Sequence, residues 1–405
     1  MPTRFYIKMR LAIDYTAAAR QGAGIGRYAR EIISAVLAES SEHSFVLLAA
    51  AAGLGERWTQ EIARLRALAN TADCSSPADC SSPAERLAIR SLPMTDDWMA
   101  RIWQRARIPI PANLITGPID CFYAPDFVLP PLRRSTRALL TVHDLSFLRY
   151  PETFPDALRR YLEKAVPRSV GRADHIFADS ESTRQDLITL LSVQPDQVST
   201  LYSGVAPHFT PKVEAGERER LQAKYALGPQ PYILSVGTVQ PRKNYVRLME
   251  ACDPLAAEQP LTLVIVGQPA WLSEPILEAA KQRPYVRMVG FADDNDLPAL
   301  YRQAAVMAFP SLYEGFGLPP LEAMACGTPV VASSASSVPE VVGEAGLLVD
   351  PQNVPAWTDA LDRALHSKTL RADLRHKGLH RAQTFTWANT ARRWLEIIDT
   401  LFTRI

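Results

Sequence analysis

No apolar run in this 405-residue sequence is long enough to cross a bilayer. A membrane-spanning helix needs about 20 apolar residues in succession. The first apolar stretch, Met9 to Ile13, is too short even for the core of a signal peptide. The sequence therefore predicts a cytoplasmic protein whose contact with a membrane is at most peripheral. Because a strand-like segment begins at Met9, we interpret residues 1–8 as an extension ahead of the first structural element.

The sequence also lacks paired cysteines and has little net charge. The formal net charge is +1 and no tail carries charge of one sign, so a nucleic-acid partner is not expected. Residues 72–83 repeat Ala-Asp-Cys-Ser-Ser-Pro twice, a composition typical of a surface loop. The cysteines have neither zinc-site spacing nor the density of a disulfide scaffold, which favours a reducing compartment. They are Cys74, Cys80, Cys121, Cys252 and Cys326.

What is present is the alternation of an α/β protein. The length exceeds what one hydrophobic core usually reaches, so we expect two domains. Short apolar runs alternate with amphipathic helical stretches, which indicates βαβ units and largely parallel sheets. Two such domains in tandem form a crevice at the carboxyl ends of their strands. We predict a first Rossmann-like domain at residues 1–205, a linker at 206–230, a second Rossmann-like domain at 231–385 and a C-terminal helix at 386–405.

Each predicted domain contains a series of strand candidates. Those of the first domain are Leu11–Asp14, Phe45–Ala50, Cys121–Ala124, Ala138–Val142, His175–Ala178 and Val198–Leu201. Those of the second are Tyr232–Val236, Leu261–Val266, Val286–Val289, Val306–Phe309, Pro329–Ala332 and Leu347–Val349.

The most specific motif runs from Pro310 to Val330. A strand ends at Pro310, and a glycine-containing loop follows in which backbone N–H groups can approach a ligand closely. Two prolines then begin a helix that a glycine ends. The N-terminus of such a helix suits a diphosphate. Glu314 lies in the loop and Glu322 in the helix, so the two carboxylates can serve different parts of an extended ligand such as a nucleotide sugar.

A basic pair, Arg242 and Lys243, follows the first strand of the second domain. It lies where a loop meets the start of a helix, and two cations there oppose the helix dipole unless an anion lies between them. The pair therefore predicts a phosphate site.

Glu314 and Glu322, with their Gly-Phe-Gly-Leu and Ala-x-Gly-x-Pro-Val flanks, resemble the signature of glycosyltransferase family 4, whose members retain the anomeric configuration. The resemblance extends over most of the chain. It implies a GT-B fold whose C-terminal helix, Trp387–Phe402, crosses back to the first domain. It also implies that Glu314 faces the sugar hydroxyls, that Glu322 binds the ribose, and that Arg242 and Lys243 neutralise the diphosphate. The implied donor-binding set is Gly24, Gly237, Gly315, Phe316, Gly317, Leu318 and Glu322.

A glycine-rich turn, Gly22–Gly26, follows the first strand of the first domain. It resembles a dinucleotide fingerprint, but no acidic residue ends a second strand about 20 residues on, so NAD is the weaker reading. In the resembling family this loop covers the donor phosphates and helps to receive the acceptor. Gly22, Gly26 and Arg27 are therefore acceptor-side candidates, with Arg27 either an anion contact or an exposed helix residue.

Other polar groups end strands at the same predicted edge. His143, beside Asp144, is a candidate catalytic residue together with Arg242, Lys243 and Glu314, because it resembles the family's histidine near the donor sugar. Asp126 is a further acceptor-side candidate. Ser180 is expected to cap the helix that follows it.

The segment Asp294-Asn295-Asp296 resembles the Asp-x-Asp that holds a metal in other nucleotide-sugar transferases. We interpret it instead as the first turn of a helix, where acids cap and complement the dipole. The predicted site therefore has no metal and no cofactor, with the nucleotide sugar as a substrate.

The predicted function is transfer of a hexose from a nucleotide sugar to a saccharide or lipid-linked acceptor. The combination of motifs resembles bacterial mannosyltransferases of surface polysaccharide synthesis, which implies GDP-mannose ahead of UDP-glucose and dTDP-rhamnose. The alternatives are an inactive sugar-nucleotide binding protein, an epimerase and a phosphorylase. Residues 101–107 are basic and aromatic, so they are either a contact with anionic lipid or an ordinary solvated or core-packed helix.

Overall fold

The computed structural model describes residues 8–22, 24–40, 42–71 and 86–403. The extension at residues 1–7, Ala23 of the glycine-rich turn, and the repeat containing Cys74 and Cys80 lie outside the described residues.

The first domain is built on a parallel sheet with the strand order β3-β2-β1-β4-β5-β6-β7. The order reverses between β1 and β4, which pair in parallel. Apolar side chains are buried on both faces of the central strands, as expected where helices cover both sides of a sheet. The strands are β1 (Arg10–Asp14), β2 (Ser44–Ala50), β3 (Leu87–Leu92), β4 (Cys121–Ala124), β5 (Arg137–Val142), β6 (His175–Ala178) and β7 (Val198–Thr200).

The second domain repeats this plan with the order β10-β9-β8-β11-β12-β13. Its reversal lies between β8 and β11. The predicted α/β class with two Rossmann-like sheets is therefore confirmed. The strands are β8 (Tyr232–Val236), β9 (Thr262–Val266), β10 (Val286–Gly290), β11 (Val306–Phe309), β12 (Val330–Ser333) and β13 (Gly346–Val349).

Helices connect these strands. In the first half they are α1 (Thr16–Arg20), α2 (Ile25–Glu39), α3 (Gly55–Thr71), α4 (Asp96–Ala100), α5 (Asn113–Thr116), α6 (Ser146–Arg149), α7 (Asp156–Val170) and α8 (Glu181–Leu191). In the second half they are α9 (Glu217–Tyr225), α10 (Tyr245–Glu258), α11 (Glu274–Lys281), α12 (Leu297–Gln303), α13 (Leu318–Ala325), α14 (Val338–Val342), α15 (Val354–His366), α16 (Lys368–Ala382) and α17 (Trp387–Thr403). Short 3-10 turns occur at Pro151–Thr153, Pro241–Lys243 and Gly343–Ala345.

Most strand candidates are confirmed to within a residue at each end, but β3 was not predicted. β3 pairs only with β2, at the edge of the first sheet. Its side chains are largely half-buried or exposed, and Arg90 and Ser91 interrupt its apolar pattern. An edge strand with one covered face gives a weak periodic signal, which explains the omission.

The C-terminal helix α17 packs on the first domain. Trp387, Trp394 and Ile398 are buried in the same core cluster as β1 and α2. The Trp394 ring lies 5.3 Å from that of Tyr123 on β4. The expected return of this helix to the first domain is therefore confirmed.

The segment at residues 206–230, which the sequence analysis treats as a linker, contains helix α9. Leu221 of α9 is buried in the core of the second domain. Glu217 of the same helix forms an ion pair with Arg302 of α12, and both side chains are almost fully buried. This helix therefore packs as part of the second domain.

Residues 101–105 form a π-helical continuation of α4. Trp103 is buried in the first-domain core, whereas Arg101 pairs with Asp97 and lies over the exposed ring of Trp98. Ile108 is exposed close by. Among the described residues, no helix is both long and apolar enough to span a membrane.

Candidate active site

The carboxyl ends of the two sheets enclose a cavity of about 400 Å³. Ligands of doubly wound sheets bind where the strand order reverses. In the second sheet the loops after β8 and β11 flank that point, and they carry Gly237 and Glu314 into the cavity wall. The first domain contributes Gly24, Arg27 and His143 to the opposite wall.

The loop Glu314–Gly317 is fixed by two serines that follow β12. The Ser336 hydroxyl accepts a hydrogen bond from the Glu314 N–H at 2.8 Å. The Ser337 hydroxyl lies 2.9 Å from the Glu314 carbonyl oxygen and 2.8 Å from that of Phe316. Gly317 precedes α13 with φ +116°, a conformation that L side chains rarely adopt. The start of α13 is thereby directed at the cavity, as the motif predicts.

Glu314 lies between both members of the basic pair. Its carboxylate is 2.6 Å from Lys243 Nζ and 3.0 Å from Arg242 Nη1. Burial raises the pKa of Glu314, but the two cations outweigh burial and lower it to about 2. Arg242 Nε is buried and forms no hydrogen bond with any described residue. The cluster therefore carries one net positive charge and a free donor at the cavity wall.

Glu322 pairs with Arg27 across the crevice. The Arg27 Nη1 to Glu322 Oε1 distance is 2.6 Å, and the Tyr301 hydroxyl donates to Oε2 at 2.9 Å. The second Arg27 nitrogen lies 2.9 Å from Asp294. Arg27 is thus an ionic contact between the domains, and a ribose bound by Glu322 must share that carboxylate with it.

His143 has an acceptor at each ring nitrogen. Nδ1 lies 2.7 Å from Asp179 Oδ2, and Nε2 lies 3.0 Å from the Pro125 carbonyl oxygen. A carbonyl and a carboxylate accept only, so both nitrogens must carry hydrogen. Burial lowers the pKa of His143, but Asp179 outweighs burial and raises it to about 9. Both contacts favour the imidazolium form of His143, whose charge Asp179 balances and which has no free lone pair for a base.

The backbones of the two domains meet at Gly315. A Cβ at this position would lie 1.9 Å from the His143 carbonyl oxygen, far inside van der Waals contact. The Thr183 hydroxyl lies 3.2 Å from the His143 carbonyl oxygen and 3.4 Å from the Gly315 carbonyl oxygen. Ser180 caps α8 through the Thr183 N–H at 3.1 Å, as predicted. Only glycine at position 315 permits the backbones of the two domains to lie this close together.

The carboxylates of Asp293–Asp296 bind cations of α9 and α2. Asp296 precedes α12, but its side chain makes no capping bond. It lies 2.6 Å from Lys224 Nζ and also contacts Arg220 and the Tyr225 hydroxyl. The prediction that these acids cap the helix is therefore wrong, because stronger cationic partners lie nearby.

The remaining candidates do not all reach the cavity. Gly237, Gly315, Phe316, Gly317 and Leu318 line it with Gly24. Gly26 packs instead against α1, where a Cβ would lie 2.3 Å from the Gln21 carbonyl oxygen. Gly22 is absent from the cavity wall, and Asp126 lies in a neighbouring pocket. Gly26 therefore packs within the first domain and does not line the cavity, and its acceptor-side role stays a prediction.

Several residues at the site were not predicted from the sequence. Asp179 and Gln240 are buried at the cavity, and each has one side-chain oxygen without a partner among the described residues. Glu340 of α14 accepts hydrogen bonds from the N–H groups of Glu181 and Ser182 at the start of α8. Asp179 directly follows the end of β6, a position that could have been found. Glu340 is 158 residues from Ser182 in the sequence, so no local pattern predicts the hydrogen bond between them.

Comparison with known proteins gives two family matches that together span most of the chain. Residues 24–209 match the model described as Glycosyltransferase Family 4, and residues 217–381 match that described as Glycosyl transferases group 1. In solved structures, sucrose-phosphate synthase from Thermosynechococcus elongatus has a TM-score of 0.71 at 21% identity, with 98% of this chain and all of that chain covered. The fold is GT-B.

Two relatives come from Escherichia coli. O-antigen chain mannosyltransferase B is 36% identical over 273 residues, which is 66% of this chain and 71% of the relative. The serotype-specific mannosyltransferase WbdA is 35% identical over 272 residues, 64% of this chain. The match covers 33% of the length of WbdA.

The geometry of His143 predicts that its ring stays doubly protonated in mildly alkaline solution. In nitrogen-15 histidine spectra, His143 should remain an imidazolium at about pH 8, because its pKa is about 9. His175 is the internal control: burial lowers its pKa to about 4, so it should stay neutral. Because the folded-state pKa of His143 is raised, its contribution to stability is present below about pH 6.5 and is lost as pH rises through about 9.

Asp179→Asn should lower the pKa of His143 and flatten that part of the pH dependence of stability. A neutral His143 at about pH 8 in the parent protein, or an unchanged titration in the variant, would contradict the assignment.

Proposed function

Because the chain belongs to glycosyltransferase family 4, we propose that it transfers a hexose from a nucleotide sugar to an acceptor hydroxyl with retention of the anomeric configuration. The observation that carries this proposal is the buried group of Arg242, Lys243 and Glu314 beside the start of α13. These charges and the helix N-terminus face one cavity that both domains complete. A diphosphate fits the two adjacent cations and the backbone N–H groups before α13.

The electrostatics support heterolysis of the donor bond. As that bond breaks, negative charge grows on the leaving diphosphate while the sugar becomes oxocarbenium-like. Arg242, Lys243 and the N–H groups before α13 are fixed donors for the developing charge. On the first-domain side, His143 lies at the cavity wall with its charge balanced by Asp179. In same-face substitution, the leaving phosphate oxygen accepts the proton of the acceptor hydroxyl.

The carboxylates have separate roles in this proposal. Glu314 orients the sugar hydroxyls and also fixes the two cations. Glu322 lies eight residues further along the chain, in α13. It binds the ribose diol, which replaces part of its contact with Arg27. Neither serves as a nucleophile.

GDP-mannose is the proposed donor, and the product is a cell-surface polysaccharide such as an O-antigen or exopolysaccharide. The names of the two relatives from Escherichia coli and the motif resemblance support mannose. UDP-glucose and dTDP-rhamnose are the competing donors.

Transfer is proposed to need no metal, because Arg242, Lys243 and the start of α13 can stabilise the charge that a cation would otherwise neutralise. Loss of transfer in EDTA with recovery in Mg²⁺ or Mn²⁺ would contradict this.

Peripheral contact with the inner face of the membrane is part of the proposal. Trp98 and Ile108 expose apolar side chains beside the exposed Arg101, Arg105 and Arg107. Such a surface suits anionic lipid and would bring a lipid-linked acceptor to the crevice.

The membrane proposal predicts co-sedimentation with vesicles that contain anionic lipid at low salt and release at high salt. Replacing Arg101, Arg105 and Arg107 by Gln should weaken sedimentation and leave donor binding unchanged, since that surface lies away from the second domain. If the parent protein does not sediment, or the triple variant sediments equally, the acceptor is a free saccharide.

The donor proposal predicts that GDP-mannose raises the melting temperature more than UDP-glucose or dTDP-rhamnose does. A donor at 100 times its Kd stabilises the fold by about 2.7 kcal/mol. Glu322→Ala should abolish most of that shift, whereas Glu314→Ala should retain more of it and lose turnover. Arg27→Gln is the matched control, because it removes the ion pair but keeps the Glu322 carboxylate.

Several results would count against this account. Equal losses that affect affinity alone in both glutamate variants would reject the division of roles. Equal losses in Glu322→Ala and Arg27→Gln would reduce Glu322 to a structural partner. Donor binding without transfer to any acceptor would favour the binding-protein alternative, while acceptor-free conversion or phosphate-dependent glucan cleavage would favour an epimerase or a phosphorylase.

A further inference from the structure

Tyr313 is a residue of the second domain whose side chain is held by the first. It directly precedes Glu314 in the loop after β11, and only 5% of it is exposed. Its hydroxyl donates a hydrogen bond to Asp186 of α8. Its ring lies 6.0 Å from that of Tyr150, which follows α6. The phenol is therefore fixed by one domain, while the backbone that carries it belongs to the other.

Asp186 is a buried carboxylate that bonds to both domains. Its Oδ1 accepts hydrogen bonds from the guanidinium of Arg149 in the first domain, with Nε at 3.0 Å. Its Oδ2 accepts the hydrogen bond from Tyr313. A buried carboxylate oxygen that loses its donor raises the free energy of the folded state. The Tyr313 hydroxyl is therefore favoured at this one position against α8.

Helix α8 contacts the loop on both sides of Glu314. Thr183 and Asp186 are three residues apart and so lie on the same face of the helix. The Thr183 hydroxyl lies 3.4 Å from the Gly315 carbonyl oxygen, and Asp186 holds Tyr313. One helix of the first domain thus fixes the backbone immediately before and immediately after the Glu314 carboxylate.

The backbone beside Tyr313 contacts the charged cluster directly. The Tyr313 carbonyl oxygen accepts a hydrogen bond from Arg242 Nη1, the nitrogen that also lies 3.0 Å from Glu314. The preceding Leu312 N–H donates to the Arg242 carbonyl oxygen at 2.9 Å. A shift of Tyr313 would therefore move an acceptor of Arg242 together with the backbone that carries Glu314.

We infer that Asp186 is a positioning residue for the transfer reaction: through the Tyr313 hydroxyl, it sets the places of Arg242 and Glu314 in the cavity wall. The inference rests on the proposed transferase function and adds to it a residue that touches no substrate. Neither Asp186 nor Tyr313 lines the cavity, so the effect of Asp186 on transfer passes through the loop. Alignment of the donor with the acceptor hydroxyl then depends on how the loop is seated against α8.

The second domain contains a matched control for this contact. The Tyr285 hydroxyl donates to Asp253 at 2.6 Å, and Arg283 Nε and Nη2 each lie 2.8 Å from the same carboxylate. Tyr285 directly precedes β10, at the opposite end of that strand from the cavity. Tyr285→Phe therefore removes the same kind of hydrogen bond from a tyrosine, aspartate and arginine group without touching the cavity wall.

The test measures release of GDP from GDP-mannose with methyl α-mannoside as the acceptor. Tyr313→Phe and Asp186→Asn should each lower kcat about tenfold, which is less than the on the order of 100-fold that a displacement of about 1 Å costs, because the Gly315 contact remains. The KM for the donor should change less than kcat does, since the proposed ribose contact of Glu322 is untouched. The double variant should be no slower than the slower single variant, because both substitutions remove one contact. Tyr285→Phe should keep the parental kcat.

Parental kcat in Tyr313→Phe, additive losses in the double variant, or an equal loss in Tyr285→Phe would overturn the inference. Hydrogen–deuterium exchange without substrate tests the contact independently of turnover. The N–H groups of Leu312 and Glu314 should exchange about tenfold faster in Tyr313→Phe than in the parent, and at the parental rate in Tyr285→Phe. Unchanged exchange in Tyr313→Phe would overturn the inference. Faster exchange with no transfer by the parent protein would support the Tyr313 to Asp186 contact and reject the proposed function.

Discussion

The structure depends on the contact between the backbone of Gly315 and the carbonyl of His143. Each group belongs to a different domain, and the space between them excludes even a methyl group. This contact places the loop before α13 directly against the end of β5. The Glu314 carboxylate, the basic pair and the His143 imidazolium face one cavity as a result. Without this close contact between the domains, the residues at the strand ends of the two sheets would not face a common cavity.

Charge reinforces that contact on both sides of the cavity. Arg27 reaches from α2 to Glu322, and Glu340 reaches from α14 to the start of α8. Arg27 and Glu340 both bond across the domain boundary, and Arg27 pairs the buried Glu322 carboxylate, which would otherwise need water. Glu322 and Arg27 also form part of the proposed ribose site. In the proposed function, donor binding and the contact between the domains use the same side chains.

Local patterns in the sequence predicted most of the fold, because buried parallel strands give compact apolar runs between amphipathic helices. The motif from Pro310 to Val330 and the basic pair located the second-domain wall of the cavity. Partners distant in sequence could not be predicted: Asp179 for His143, Arg27 for Glu322, and Arg220 and Lys224 for Asp296. The β3 edge strand was missed because only part of it is buried. Asp14 and Asp126 line one pocket because β1 and β4 are adjacent, a strand order that the sequence does not state.

The most direct test of the central contact is turnover of Gly315→Ala. The added Cβ would meet the His143 carbonyl oxygen at 1.9 Å, so the loop or the domain must shift. A displacement of about 1 Å can cost on the order of 100-fold in rate. We therefore expect kcat to fall by about that factor, and Gly171→Ala, where the nearest atom is 3.4 Å away, to behave as the parent. Parental turnover in Gly315→Ala would contradict the account.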